Sequence, residues 1–223
     1  MTEVPTTAAL VDRITSLGAV AVVRTQHPDH LVDAVGALVE GGVEAIEVTM
    51  TVPGALDQIA RVRDAFGDAV VLGVGSITDA DTTRRAIEAG ARYVVSPVFK
   101  PEIIDAAHDL GAAAMPGCFT PTEAQAAWEA RADVVKVFPA GVLGMPFFKG
   151  VLAPLPHLRL MPTGGVTLDN AGDWLRAGAV AVGVGSALWN DAAVAAGHYA
   201  TLTDNARRLC ASIAAARGSL SLS

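Results

Sequence analysis

The stretch YVVSPVFKPEIIDAAHDLGAAAMPG, residues 93–117, contains one complete strand–helix–strand unit. A short apolar run rich in β-branched residues, Tyr93 to Val98, precedes an amphipathic segment, Glu102 to Leu110, which Gly111 stops. A second apolar run, Ala112 to Gly117, follows directly. Apolar runs that alternate with amphipathic helices in this way are typical of a parallel sheet.

Eight such apolar runs occur along the chain. They are AVAVVR (19–24), AIEVTM (45–50), VVLGVGS (70–76), YVVSPV (93–98), AAAMPG (112–117), VVKVF (134–138), LRLMPTGG (158–165) and VAVGVGS (180–186). Their starts are roughly 20 to 25 residues apart, which is near the shortest period of a strand–helix unit. This pattern predicts an α/β fold, a single closed (β/α)8 TIM barrel over residues 1–223. A leading helix, roughly Ala8 to Leu17, is expected to cap the bottom of the barrel.

An open doubly wound sheet is the alternative fold. To bind a dinucleotide it would need a G-x-G-x-x-G turn after its first strand, and Arg24-Thr25-Gln26 contains no glycine. The sequence therefore favours the barrel.

Composition limits the classes of partner. The chain carries a formal net charge of -7, and its 16 Lys and Arg residues are scattered, whereas nucleic acid and anionic membrane surfaces need clustered basic residues. The only cysteines are Cys118 and Cys210, and the N-terminal residues show no secretory signal pattern. We therefore expect a cytoplasmic protein whose partner is a small molecule, with no nucleic acid and no membrane.

A lysine inside an apolar strand is the main candidate for chemistry. Alternation of side chains along a strand places Lys136 and Phe138 on one face and puts Glu47 on the inner face of the second strand. A buried ion pair that only stabilises the fold is the simple alternative. A lysine at the active end of a barrel strand instead favours catalysis, because burial lowers the pKa of an amine and a free amine attacks carbonyls. The facing carboxylate then fits a proton shuttle.

Other candidates lie at the ends of the predicted strands, where barrel active sites form. They are Arg24, Thr49, Ser76, Pro97, Phe138, Thr163, Gly164, Gly165, Gly185 and Ser186. The glycines after strands seven and eight let backbone N–H groups approach an anion, which favours a phosphorylated ligand, although tight turns also require glycine. No metal site is predicted, because His27 and His30 have no evident third ligand.

Seven motifs together resemble one family, the class I aldolases that cleave 2-keto-3-deoxy-6-phosphogluconate and that also handle 4-hydroxy-2-oxoglutarate. They are EGGVEAIEVTMTVP (40–53), GVGSI (73–77), YVVSP (93–97), MPGCFTPTE (115–123), VVKVFPA (134–140), PTGGV (162–166) and AVGVGSAL (181–188). The likeness extends from about Leu17 to Leu188, which is most of the chain.

The resemblance implies a role for each matching residue. Lys136 would form the Schiff base, and Glu47 would move protons during cleavage to pyruvate and glyceraldehyde 3-phosphate. Pro97 and Phe138 would line the keto-acid pocket. The phosphate end would be surrounded by Thr163, Gly164, Gly165, Gly185 and Ser186. The family uses no metal or other cofactor and is typically a homotrimer.

Two motifs depart from the family pattern. Thr51 stands where many members carry an arginine that holds the keto-acid carboxylate, which leaves Arg24 and Ser76 for that role. Gly73-Val74-Gly75-Ser76 replaces the usual G-A-G-T. Three alternatives stay open: the galactonate epimer as substrate, a non-catalytic barrel that binds a sugar phosphate, and an isomerase with two carboxylates, for which only one interior carboxylate is found.

Overall fold

A computed structural model describes residues 6–220, so residues 1–5 and 221–223 of the predicted domain lie outside the described residues. The strands are β1 (Ala19–Val23), β2 (Ala45–Thr49), β3 (Val71–Gly75), β4 (Tyr93–Val95), β5 (Ala113–Met115), β6 (Gly117–Cys118), β7 (Val135–Val137), β8 (Leu160–Pro162) and β9 (Val182–Val184). The helices are α1 (Thr7–Leu17), α2 (Leu31–Glu40), α3 (Ala55–Phe66), α4 (Ala80–Ala89), α5 (Pro101–Asp109), α6 (Pro121–Glu129), α7 (Ala140–Leu152), α8 (Ala171–Arg176), α9 (Asp191–Ala195) and α10 (Ala200–Leu220).

All strand pairs are parallel, as the alternation of strands and helices predicts. Six strands form one curled sheet in the order β5-β4-β3-β2-β1-β9, and three form a second sheet in the order β6-β7-β8. A parallel bridge between Thr163 and Gly183 and a hydrogen bond of 2.9 Å from the Val180 N–H to the Leu160 carbonyl join β8 to β9. The two sheets are therefore continuous at this edge.

The fifth predicted strand differs from the expectation. Residues 112–117 were expected to form one strand, but β5 ends at Met115 and β6 begins at Gly117. Pro116 lies between them and has no N–H for a sheet ladder. Its carbonyl still accepts a hydrogen bond of 2.9 Å from the Lys136 N–H, while the Ala114 carbonyl accepts one of 3.0 Å from the Asp133 N–H. Asp133, just before β7, thus bonds to β5, while β7 itself pairs with β6.

Two separate apolar cores lie on the two faces of the strands. The outer core packs Ile46, Val48 and other outward residues against the helices. The inner core consists of side chains from α1 and from the inner faces of both sheets: Leu10, Val11, Ile14, Val20, Ala45, Val71, Tyr93, Val95, Ala113, Met115, Val134, Met161 and Ala181. Most of these strand residues lie at the N-terminal ends, so α1 covers that end of the strands, where the sequence predicts a capping helix.

None of the helices between residues 6 and 220 combines the length and the apolar character that crossing a bilayer requires.

Candidate active site

Lys136 lies at the centre of β7 with only 5% of its surface exposed. Its neighbours Val135 and Val137 belong to the outer core, so strand alternation turns the lysine to the inner face. Burial removes water from the ammonium and lowers the pKa of Lys136, and this effect outweighs the opposing attraction of Glu47. Lys136 therefore lies on the inner face, as strand alternation predicts.

Glu47 lies on β2 with 1% of its surface exposed. Its side chain covers Gly75 of β3, where a Cβ atom would come within 1.8 Å of the Glu47 Oε1 atom. Burial raises the pKa of Glu47, although the positive charges of Lys136 and Arg24 oppose this shift. Both interior charges are thus displaced towards their neutral forms, as is common for groups that exchange protons in active sites.

Arg24 follows β1 directly and is exposed. Its charge acts on both interior groups, because it lowers the pKa of Glu47 and also that of Lys136. Arg24 therefore adds to the lowering of the Lys136 pKa and opposes the rise of the Glu47 pKa.

A cavity of about 320 Å³ opens at the C-terminal ends of β1, β8 and β9, with Arg24 in its lining. Its lining includes seven of the predicted substrate-binding residues: Arg24, Phe138, Thr163, Gly164, Gly165, Gly185 and Ser186. Phe138 joins the cavity to the lysine, since the Lys136 Nζ atom lies 4.8 Å from the centroid of its ring. Such a distance permits a cation–π contact while the amine is protonated.

Thr163 supplies an oxygen that could bind a ligand in this cavity. Its Oγ1 atom is buried and has no hydrogen-bond partner within the described part of the chain. A Cβ atom at Gly183 would approach it to 2.3 Å, so the close packing here requires glycine. An unpaired buried hydroxyl that lines a cavity is suited to a polar ligand.

Gly164 and Gly165 both adopt positive φ, 81° and 85°. A Cβ atom at Gly165 would lie 2.6 Å from the Cα atom of Gly141, so the loop after β8 packs closely on the start of α7. Glycine is therefore required at this corner for both backbone conformation and close approach.

Five predicted residues lie outside the lining of this cavity: the interior pair Lys136 and Glu47, and also Thr49, Ser76 and Pro97. Thr49 is fully buried, and its hydroxyl lies 2.7 Å from the Thr51 hydroxyl, so these side chains share a face as strand alternation predicts. Ser76 is half-buried with φ of 61°, an uncommon conformation for a residue other than glycine. Pro97 is half-buried, and its backbone would lie 2.5 Å from a Cβ atom at Gly117.

Sequence reasoning missed Asp191, Trp189 and Val22, which also line the cavity. The Asp191 carboxylate accepts a hydrogen bond of 3.3 Å from the Trp189 indole N–H. Burial alone would raise the pKa of Asp191, but hydrogen bonds, foremost from the Thr25 hydroxyl, outweigh burial and lower it. Alternation back from Arg24 could have identified Val22, whereas no strand pattern covers residue 191.

No group of three or more His, Cys, Asp or Glu side chains among residues 6–220 is arranged to hold a metal ion. His27 and His30, which follow β1, contact side chains on distant parts of the chain. The His27 Nε2 atom lies 3.9 Å from an Asp191 carboxylate oxygen, and the His30 Nδ1 atom lies 2.7 Å from the Tyr199 hydroxyl.

Comparison with known proteins identifies the family. The sequence profile of the family described as "Aldolase: KDPG and KHG aldolase" matches residues 10–204. The chain is 33% identical over 176 residues to the 2-dehydro-3-deoxy-6-phosphogalactonate aldolase of Escherichia coli K12, a match that covers 78% of this chain and 86% of the relative. It is 33% identical over 185 residues to the 2-dehydro-3-deoxy-phosphogluconate aldolase of Treponema pallidum, with 82% and 88% of the two chains covered.

A solved structure described as "Native KDPGal structure" superimposes with a TM-score of 0.84 and 29% sequence identity. The match covers 90% of this chain and 96% of the solved one. The chain belongs to the KDPG and KHG aldolase family of carbon–carbon lyases.

Proposed function

We propose that the chain is a class I aldolase that cleaves 2-keto-3-deoxy-6-phosphogluconate to pyruvate and glyceraldehyde 3-phosphate through a Schiff base on Lys136. The observation that carries this proposal is the Lys136 amine itself, 5% exposed, with a pKa lowered by burial, opposite a buried carboxylate. A buried amine that is neutral for part of the time is a nucleophile towards carbonyl carbon.

The reaction follows from these groups. The neutral Lys136 amine attacks the C2 carbonyl to give a carbinolamine, which loses water to form a protonated imine. Glu47 takes the proton from the C4 hydroxyl, the C3–C4 bond breaks, and its electron pair moves into the imine to form an enamine. Glyceraldehyde 3-phosphate leaves, Glu47 returns the proton to C3, and water hydrolyses the imine to release pyruvate.

The remaining predicted residues would bind the two ends of the substrate. Both positive φ glycines after β8 and the unpaired Thr163 hydroxyl line the cavity, which supports a phosphate site there with Gly185 and Ser186. Arg24, with Ser76 and Thr49, would bind the keto-acid carboxylate, and Pro97 and Phe138 would enclose the keto acid. The phosphorylated keto acid, pyruvate and glyceraldehyde 3-phosphate are the proposed partners, with no metal or other cofactor.

Borohydride reduction in the presence of pyruvate tests the Schiff base. We expect the mass of one reduced pyruvyl group on Lys136, no such adduct in Lys136→Met, and a full adduct in Lys149→Met, which changes an exposed lysine. Absence of any adduct would overturn the proposal. A protein that binds the sugar phosphate without turnover, and as tightly after Lys136→Met, would instead favour the non-catalytic barrel.

The galactonate epimer is a second candidate substrate. It is favoured by the Escherichia coli relative, whose name specifies 2-dehydro-3-deoxy-6-phosphogalactonate. The family description also includes KHG, so 4-hydroxy-2-oxoglutarate belongs in the same comparison. An assay of pyruvate release separates these candidates. It compares the two phosphorylated epimers, their unphosphorylated forms and 4-hydroxy-2-oxoglutarate, and the highest kcat/KM identifies the preferred substrate.

We further propose that the two sheets close into a single (β/α)8 barrel domain over residues 1–223, with β5 and β6 as one interrupted strand. The hydrogen bond from Asp133 to β5, the pairing of β7 with β6, and the bridge that joins β8 to β9 support this closure. The resemblance supports a homotrimer, which light scattering can test. The cytoplasmic location stays a prediction.

A further inference from the structure

Tyr93 is a buried ionisable residue of the inner core to which the proposed mechanism assigns no role. None of its surface is exposed, and its hydroxyl has no hydrogen-bond partner among the described residues. The Glu47 Oε2 atom is likewise buried and has no hydrogen-bond partner among the described residues. Buried polar atoms without partners are rare in native proteins, and an ordered water commonly satisfies them.

The strand register brings these two side chains towards each other. Glu47 of β2 is paired with Gly73 of β3, and Gly73 is paired with Tyr93 of β4. All three positions therefore lie in one row across the sheet. Because the middle residue has no side chain, the Tyr93 ring can extend across it towards β2.

Contacts with the glycines of β3 define where the two polar ends lie. A Cβ atom at Gly73 would come within 2.3 Å of the Tyr93 Cζ atom, so the hydroxyl end of the ring covers Gly73. The Glu47 carboxylate covers Gly75, the next inward position of the same strand. Adjacent inward positions are about 6.6 Å apart, and the Tyr93 Cζ and Glu47 Oε1 atoms would each lie within 2.3 Å of a Cβ atom at one of them. These contacts allow a separation below about 5.6 Å, the most that one water molecule with two hydrogen bonds of about 2.8 Å can span.

Two cationic groups from other parts of the fold act on the carboxylate. Lys136 of β7 and Arg24 after β1 are cationic and lower the pKa of Glu47, and neither replaces a hydrogen bond to its Oε2 atom. The negative charge of Glu47 adds to the effect of burial, which holds the pKa of Tyr93 well above its usual range. The phenol therefore keeps its proton and can only donate towards the carboxylate.

We propose that the Tyr93 hydroxyl is hydrogen-bonded to Glu47 through one buried water molecule, and that Tyr93 is a positioning residue that sets the pH at which Glu47 accepts a proton. The inference rests on the proposed role of Glu47 in proton transfer. A donor to the ionised carboxylate stabilises the ionised form, so the bridge keeps Glu47 available as a base at lower pH.

Exchange of the pyruvate methyl hydrogens with solvent deuterium measures this directly. At saturating pyruvate Lys136 is held as the imine, so the rate should rise with pH as Glu47 loses its proton. Tyr93→Phe removes only the hydroxyl. We expect its rising limb to move to higher pH, with a rate about two- to ten-fold below the parent at a fixed pH on that limb.

Tyr199→Phe is the matched control, because the chain has only two tyrosines and the Tyr199 hydroxyl contacts His30 in the outer part of the molecule. Its pH profile should superimpose on that of the parent. A Tyr93→Phe profile that superimposes on the parent would overturn the inference, since a purely structural hydroxyl would not move the limb. If the parent itself forms no borohydride adduct and exchanges no hydrogens, the proposed function fails first.

A high-resolution crystal structure of the parent gives a test that needs no variant. We expect an ordered water within hydrogen-bond distance of both the Tyr93 hydroxyl and a Glu47 carboxylate oxygen. Continuous dry packing between the two side chains would overturn the proposal.

Discussion

The two ends of the strand interior differ completely in chemistry, although the same strands build both. On β2 the inward residues are Ala45 and then Glu47, and on the β7 segment they are Val134 and then Lys136. Each step covers two residues, about 6.6 Å. Two residues along each strand therefore separate the apolar inner core from the proposed catalytic pair.

The apolar end creates the conditions for the charged end. Leu10, Val11 and Ile14 of α1 close the N-terminal side of the interior together with the inner core of the strands. Water is thereby excluded beneath Glu47 and Lys136, and burial is the largest cause of both pKa shifts. If this comparison is correct, substitutions at one end should change chemistry and substitutions at the other should change stability.

The largest effect is expected from Lys136→Met. Methionine fills a similar volume but has no nucleophilic nitrogen, so kcat/KM should fall by about 10⁴-fold or more. A coupled assay for pyruvate release measures this, with Lys149→Met as the control at an exposed site. A variant that retained more than about a hundredth of the parent rate would contradict a Schiff base at this residue.

Glu47→Gln should have the next largest effect. The amide keeps the shape of the carboxylate but cannot accept a proton, so kcat should fall by about 10²- to 10⁴-fold. Glu44→Gln is the control, because Glu44 precedes the same strand, is 38% exposed and pairs with Arg13 at 2.9 Å. Equal losses of kcat in both variants would remove the distinction between the two ends of β2.

Ile14→Ala tests the apolar end. Ile14 is fully buried in the inner core, so its truncation should lower the free energy of unfolding by about 2 to 5 kcal/mol. Urea denaturation measures this loss, and kcat should stay near the parent value under conditions where the variant is folded. Val142→Ala, at a residue that is 74% exposed, should change the free energy of unfolding by no more than about 0.5 kcal/mol.

Arg24→Gln is expected to have the smallest effect on the reactive groups. Since Arg24 lowers the pKa of Lys136 and of Glu47, its removal should raise both. Saturating pyruvate removes the effect of weaker carboxylate binding, but adduct formation still needs the neutral amine. The rising limb of its pH profile should therefore move to higher pH, and the rate at a fixed pH should fall roughly two- to ten-fold.

Borohydride trapping over a pH series records the limb of Arg24→Gln. Arg13→Gln alters a cation of α1 at the opposite end of the strands and should leave the limb in place. If Arg24→Gln left the pH dependence of trapping unchanged, the charge of Arg24 would have no effect on the pKa of Lys136.

The sequence predicted the inward pair well because strand alternation is local. Val135 and Val137 specify the face of Lys136 whatever the partner strand is, and the same holds for Glu47 between Ile46 and Val48. The break at Pro116 could have been predicted from its missing N–H, but the apolar run on both sides concealed it. Asp191 has no periodic signal in the sequence, because it begins the five-residue helix α9. Its carboxylate is held at the cavity by contacts with Trp189 and Thr25, which no local pattern indicates.

By itself the sequence determined the order of strands and helices, the face on which each strand residue lies, and the family, because each depends on local spacing or on motifs. Tertiary structure decided which inward side chains meet. The neighbours of Glu47 come from β1, β3, β4 and β7, so its burial, its pKa and its position beside Tyr93 depend on strand register and on the two glycines of β3. These contacts join residues far apart in the chain, and no local pattern encodes the distances between them.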